Sequence, residues 1–337
     1  MKPLQENLKS AMMLVGEEDY FIIFNDGKPI RTHLDEDIIL EMDNYFDANE
    51  FQTKTDTPLT HEIEEHAHFS PTLQVKKNAN IKVIHLNQEE QYIDYHLIID
   101  DGIISHITNI YLKVTGKTKI KMDVVVEDEA NLTLKNITNS YDDLEINIRS
   151  FCLRDATLTI DDLSISDQLV TCKNSIYLIG EEANCSMNNI VINTTGKNQT
   201  YEYEIHHEMK DTTSTMNTYG ISKNTSNLVF RCVGSIVKGA KNAKMDQKTK
   251  GLIMDLHSSI TGIPILEIDE NEVNAHHGAA IGAIDEEELY YLMSRGLTRE
   301  VSERLIVTTL IAPYYQNIKD EKILAYIHQE IETQLQH

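Results

Sequence analysis

Three segments in the middle of the chain resemble one another: "EANLTLKNI" from Glu129, "DATLTIDDL" from Asp155 and "EANCSMNNI" from Glu182. Each places an acid, an alanine and a polar residue before an alternating strand. The alanines stand at positions 130, 156 and 183, so the repeat is 26 and then 27 residues. A period of roughly 20–50 residues marks a repeat architecture. The repeat is filled with short runs of Thr, Ile, Val and Leu separated by Asn, Asp and Gly, which read as strands and turns. No helical periodicity intervenes between Lys119 and Leu266. Coils of this kind stack at about 4.8 Å, and their inward residues form ladders. A β-sandwich also has frequent turns, but it does not call for evenly spaced matching segments. The repeat therefore predicts a parallel β-helix.

The composition narrows the partners. Against 30 Lys and Arg stand 54 Asp and Glu, a net charge of −24. Such a surface repels phosphate backbones and anionic lipids, so neither nucleic acid nor a membrane is expected as a partner. No stretch approaches the roughly 20 apolar residues of a membrane span. The opening "MKPLQENLKSAMMLVGEEDY" carries no signal-peptide pattern. Cys152, Cys172, Cys185 and Cys232 show no C-x-x-C spacing and read as reduced thiols of a cytoplasmic protein.

After the repeats the pattern turns helical. Asp285 with Glu288 is a capping-box-like start, and Arg295-Gly296 is a helix end. A second helix starts at Thr298 and runs to Pro313. A third carries Ile323, Ile327, Ile331 and Leu335 at i, i+4 spacing. These helices are expected to cap the last coil, whose strand edges would otherwise be exposed. Near the start, "DYFIIFNDGKPI" predicts a hairpin turning at Asn25-Asp26-Gly27. The divisions expected are an N-terminal segment over 1–74, a β-helix core over 75–284 and a small helical domain over 285–337.

Several side chains are chemical candidates. His61, His66 and His68 in "HEIEEHAH" lack the H-e-x-x-H spacing of a zinc helix and read as a solvated linker. His206 and His207 read as surface residues, only one of which can point at a given site. His276 and His277 precede Gly278-Ala279-Ala280, a run that lets another backbone come close. Strand alternation sends the two rings to opposite faces, and a neutral imidazole can ligate iron or zinc. Cys232 has Arg231 beside it in sequence, which would lower its thiol pKa. There is no Walker, G-x-G-x-x-G or G-x-S-x-G motif.

From about Phe230 to Pro313 the chain resembles the SufB/SufD family of iron–sulfur cluster assembly proteins. "GAKNAKMDQKTKGLIM" is similar to the family's stretch before its final coils. "PILEIDENEVNAHHGAAIGAIDEEELYYLMSRGL" is similar to its C-terminal signature, in which H-G-A-T leads into a helix ending in S-R-G. The glycine after His277 places the chain closer to SufD than to SufB. The resemblance implies a right-handed parallel β-helix with a small C-terminal helical domain. It also implies a non-enzymatic subunit that pairs with a SufB-type protein through the β-helix ends and docks a SufC-type ATPase on its C-terminal helices. Tyr290, Tyr291, Leu292 and Arg295 are the docking candidates, and the isolated chain could be a homodimer. His277 occupies the family's signature position and is the candidate for iron or cluster handling, with His276 and Cys232 behind it. Any iron or cluster would be transient. The chain departs from the pattern at Ala275, where many SufD members have Cys, and at Ala280, where Thr is usual.

Two rival readings remain. A polysaccharide-acting β-helix enzyme would be expected to carry a secretion signal and aromatic platforms, yet the chain has no Trp. A self-sufficient SufB-like scaffold would want a cysteine near the signature, where Ala275 stands.

Overall fold

Two parallel sheets face each other in the computed structural model, which describes residues 2–42, 63, 66–67, 69–166, 168–315 and 318–336. Among these residues one sheet has ten strands and the other nine, and each turn of chain adds one strand to each. The result is a mainly β solenoid of about eight turns followed by helices. The repeat alanines stack as the spacing predicts. Thr157 N donates to Ala130 O at 2.9 Å and Asn184 N to Ala156 O at 2.8 Å, and all three alanines are buried.

Each alanine follows a corner that the acidic residue makes possible. Glu129, Asp155 and Glu182 have φ of 58°, 55° and 63°, and Asp211 and Asn242 repeat the conformation at 60° and 62°. Left-handed backbone is unusual for side chains other than Gly, Asn and Asp, and it turns the chain sharply at one residue. The next residue then points inward, where only a small side chain fits under the corner.

Two cores result. The first fills the lumen, with Leu132, Leu134, Leu158, Ile160 and Met187 from one sheet and Ile146, Ile148 and Tyr203 from the other. The second lies outside the ten-stranded sheet. Ile23, Ile84, Ile110, Ile137, Leu163 and Ile190 occupy one register, one above another, on its outer face. They are covered by helices: α1 (Lys2–Leu14), α2 (Glu286–Ser294), α3 (Arg299–Tyr315) and α4 (Glu321–Gln336). Ile323, Ile327 and Ile331 of α4 are buried against this ladder. Burying an Ile or Leu side chain fully is worth about 1.5–3 kcal/mol, so the stripe holds the helices strongly. Polar contacts fix the register: Asn139 Nδ2 donates to Glu330 Oε2 at 2.6 Å and Thr194 Oγ1 to Gln334 Oε1 at 2.8 Å. Lys322 Nζ reaches Val15 O at 2.7 Å, which ties α4 to the end of α1.

This corrects the expected helical cap. The helices lie along the side of the solenoid, because the outer ladder offers them more apolar surface than the end does. Their caps are as read from the sequence: Asp285 accepts from Glu287 N at 2.8 Å and Glu288 N at 3.3 Å, and Gly296 has φ 95°. α3 continues through Pro313 to Tyr315.

Upstream, the hairpin forms with Asp26 and Gly27 at φ 48° and 76°, the turn that matches strand twist. Its strand Tyr20–Asn25 pairs in parallel with Ala79–Leu86, so the sheets extend to residues before 75. Lys28–His33 closes this end of the ten-stranded sheet as an antiparallel strand.

Candidate functional site

The other end of the solenoid is open. Ser259–Ile268 and Asn274–Ala283 are the last strands of the two sheets, and among the described residues each has a paired neighbour on one side only. Most residues of Asn274–Ala283 are exposed. In a parallel strand, alternate residues bond to the same neighbour. Asn274 N donates to Ala243 O and Ile284 N to Ile253 O, so the even-numbered residues of this strand bond inward. The N–H groups of Ala275, His277 and Ala279 therefore point to the free side. In the companion strand Ser259 N and Asp269 N bond inward, so the odd-numbered residues do. Pro264, which has no N–H, falls at a free-edge position there. One edge is interrupted and the other, which carries the histidines, is continuous.

Register separates the two histidines. His277 stacks on Gln247 and His276 on Asp246. Met245, Gln247 and Thr249 are buried, so this phase of the strand faces the lumen. Ala275, His277 and Ala279 share that phase, and His276 stands on the outer face. Beside it, Asp246 pairs with Lys248. Both rings are exposed.

Cys232 lies one coil below, fully buried. Its column runs Tyr203, Cys232, Pro264 on the opposite sheet. Burial pushes its thiol up, against smaller opposing contributions from Thr249, Thr218 and Gln247. Arg231 does not activate it, contrary to the sequence expectation. Successive strand residues face opposite sides, and Arg231 points outward to Glu202 and Glu204. The other three cysteines are also buried, and desolvation raises all of their pKa values. All four are thiols, not thiolates.

On the helices, Tyr290 and Tyr291 are exposed, at 75% and 56%, and Leu292 is half-buried. Arg295 lies over the Tyr291 ring, and its Nη2 is 3.2 Å from Tyr291 Oη. Met293 and Leu305 add to the exposed apolar surface. A cavity of about 340 Å³ between α2, α3 and the strands Lys244–Ile253 and Asn274–Ala283 is lined by Leu252, Ala280, Glu288 and Ile306.

Of the other histidines, His61 and His68 lie outside the described residues. His66 packs near the Tyr92 ring. His207 is not a surface residue: it is buried, with Thr212 Oγ1 and Ser214 Oγ each 2.7 Å from a ring nitrogen. His206 is partly exposed and stacks on Tyr177 at 4.6 Å.

One cluster went unread in the sequence. Asp94, His96 and Asp123 bring ligand-type atoms within 4.8 Å of one another. Lys121 Nζ lies 3.0 Å from Asp94 and 3.2 Å from Asp123, and Arg149 grips Asp123 at 2.6 and 2.8 Å. Two cations already balance the two carboxylates, so the trio is an ion network linking three coils. Nothing short of the stacking register joins positions 94, 121, 123 and 149.

The SUF system FeS cluster assembly SufBD core domain matches residues 87–310, which takes in most of the solenoid, the open end and the start of the helices. The chain belongs to the SufBD family. It is 24% identical over 281 residues to the iron-sulfur cluster assembly protein SufD of Bacillus subtilis, covering 78% of this chain and 63% of that protein. It is 27% identical over 203 residues to an iron-sulfur cluster assembly SufBD family protein of Staphylococcus aureus, covering 59% of this chain and 43% of that one. The chain thus spans under two thirds of these relatives' lengths. In this SufBD protein the open end and the lumen-facing His277 lie on the same last coil. No helix among the described residues is long and apolar enough to cross a membrane.

Proposed function

We propose that this SufBD protein is a non-catalytic, SufD-like subunit of an iron–sulfur cluster assembly complex. It pairs with a SufB-type partner through its open end, docks a SufC-type ATPase on α2 and α3, and offers His277 to iron or a nascent cluster as transient cargo. The observation that carries this reading is the continuous free edge of Asn274–Ala283, with His277 on its lumen side. Free edges recruit strands, and proteins that remain monomers blunt them. Pro264 blunts the companion edge, so recruitment falls to the strand that bears the histidine. The exposed Tyr290, Tyr291 and Met293 supply an apolar patch that a second partner would cover.

The test is co-expression with SufB-type and SufC-type proteins, followed by chromatography with mass measurement and complementation of a strain that needs this complex. Assembly of a mixed complex is expected, with His277→Ala folded and assembled but inactive and His276→Ala active. A chain that forms only a homodimer in their presence, or equal loss from both variants, would overturn the reading.

A further inference from the structure

Below His277 the lumen is polar in an unusual way. The column beneath it runs Gln247, Met216, Met187. Gln247 is 1% exposed. Its amide nitrogen approaches Met216 Sδ at 3.7 Å, and its side chain also acts on the Cys232 thiol. Thr249 Oγ1 donates to Cys232 Sγ at 3.6 Å, and Thr218 Oγ1 lies 3.8 Å from the same sulfur. Met216 Sδ, which has no hydrogen to give and can only accept, thus orients the amide with its NH2 toward it. The carbonyl oxygen is left over: Gln247 Oε1 is buried and has no hydrogen-bond partner. Buried acceptors without a donor are rare and call for an explanation.

Only one coil lies between this oxygen and solvent, and the side chain in register on that coil is His277. Its lumen-facing neighbours are Ala275 and Ala279, which leave the ring free to turn. Adjacent rungs are about 4.8 Å apart, so rotation of the His277 side chain brings a ring N–H to the orphaned oxygen. We propose that Gln247 is a positioning residue: its Oε1 accepts one ring N–H of His277, fixes the neutral tautomer and aims the other nitrogen's lone pair out of the lumen mouth. Metal-binding histidines commonly need such an acceptor on the far nitrogen, and its loss typically weakens metal binding about 10–100-fold. The inference deepens the cargo role proposed for His277 and gives Cys232 a different one, as part of the floor that orients Gln247.

The test uses the full chain with 15N-labelled histidine. In the unmodified protein a slowly exchanging ring N–H of His277 should be visible by NMR, and one neutral tautomer should dominate. Gln247→Glu, which keeps an acceptor, should preserve that tautomer. Gln247→Met, which matches the shape without one, should return His277 to the mixed tautomers of a solvated ring. Co2+ binding, followed by its visible absorption, should weaken at least tenfold in Gln247→Met and stay near the original value in Gln247→Glu. Melting of each variant by circular dichroism separates these effects from misfolding. No protected N–H in the unmodified chain overturns the inference without any variant, as does an unchanged tautomer in a folded Gln247→Met. If His277→Ala supports cluster assembly while the tautomer behaves as expected, the cargo role falls and the positioning stands.

Discussion

Inside the lumen, one residue is out of keeping with its neighbours. Asn109, Asn136, Asp162 and Asn189 occupy one column on four successive coils. Asn109 donates to Asn136 Oδ1 at 3.1 Å, Asn136 to Asp162 Oδ1 at 2.7 Å, and Asn174 to Asp162 Oδ2 at 3.2 Å. Asp162 has no ion pair among the described residues, and burial raises its pKa from 3.8 to about 6 despite the two amide donors. The sign follows: a carboxyl raised in the folded state destabilises the fold as pH rises through that interval, by up to about 3 kcal/mol above pH 6. Asp162→Asn removes the charge. Asn174 can flip to present its orphaned Oδ1, and the new amide can donate there or to the orphaned Asn189 Oδ1. Urea unfolding should show this variant more stable than the original chain at pH 8 and about equal near pH 4. His207 works in the opposite direction. Burial lowers its pKa from 6.5 to about 4, so its contribution is complete above pH 6.5 and is lost as pH falls toward 4. Stability should drop by a few kcal/mol across that window, with His85, lowered to about 3, adding to the fall at the acid end. Asp162 opposes this loss over much of the same window, so the profile is read in Asp162→Asn, where a flat line between pH 6.5 and 4 would contradict both histidine assignments. Part of this was legible in the sequence: in "TLTIDDLSIS" Asp162 shares the alternating phase of Leu158 and Ile160, which face the lumen, and Asp161 does not. That no cation meets Asp162 was not legible, because its neighbours come from other coils.

At the scale of strands and corners, much more was legible. The acid-Ala pairs marked the corners because the acid takes the left-handed conformation and the alanine fills the space beneath. The helix caps at Asp285 and Gly296 were readable for the same reason: each is a local rule. Placement of the helices was not. Their apolar stripes at Ile323, Ile327 and Ile331 show that a face is buried without saying what buries it. A signal did exist in the strands: Ile137, Leu163 and Ile190 each fall seven residues after a repeat alanine, in the phase that should face solvent. Apolar residues repeated in the wrong phase call for a cover. Ile327→Ala should therefore cost about 2–5 kcal/mol, as a buried truncation in the core beneath α4. The corners are tighter still. A Cβ on Gly180 would stand 2.1 Å from Arg154 N, on the coil below. Gly180→Ala should cost at least ~2 kcal/mol by forcing two coils apart. Both are checked by urea unfolding, and a loss under ~0.5 kcal/mol for Gly180→Ala would refute the close stacking at that corner.

The whole molecule is a stack with two unlike ends. Lys28–His33 runs antiparallel across one end of the ten-stranded sheet, while among the described residues the other end finishes on Asn274–Ala283 with no strand beyond it. The rule that solenoid ends need capping suggested helices there, and the chain instead spends them on its flank. An uncapped edge is a hazard unless a partner closes it, which is why the alternation of its backbone bonds makes a sharp test. Ala279 presents its N–H to the free side, and Ala280 bonds inward to the strand Lys244–Ile253. Ala279→Pro should leave the fold intact while removing a donor from the recruiting edge, and it should weaken pairing with a SufB-type partner, or with a second copy, by at least tenfold. Ala280→Pro, one residue along, should instead break an internal ladder bond and lower the melting temperature. Thermal melting and analytical ultracentrifugation on the two variants separate these outcomes. Unchanged association in a folded Ala279→Pro would show that the partner does not add to this edge, and would move the search to the side chains of the last coil.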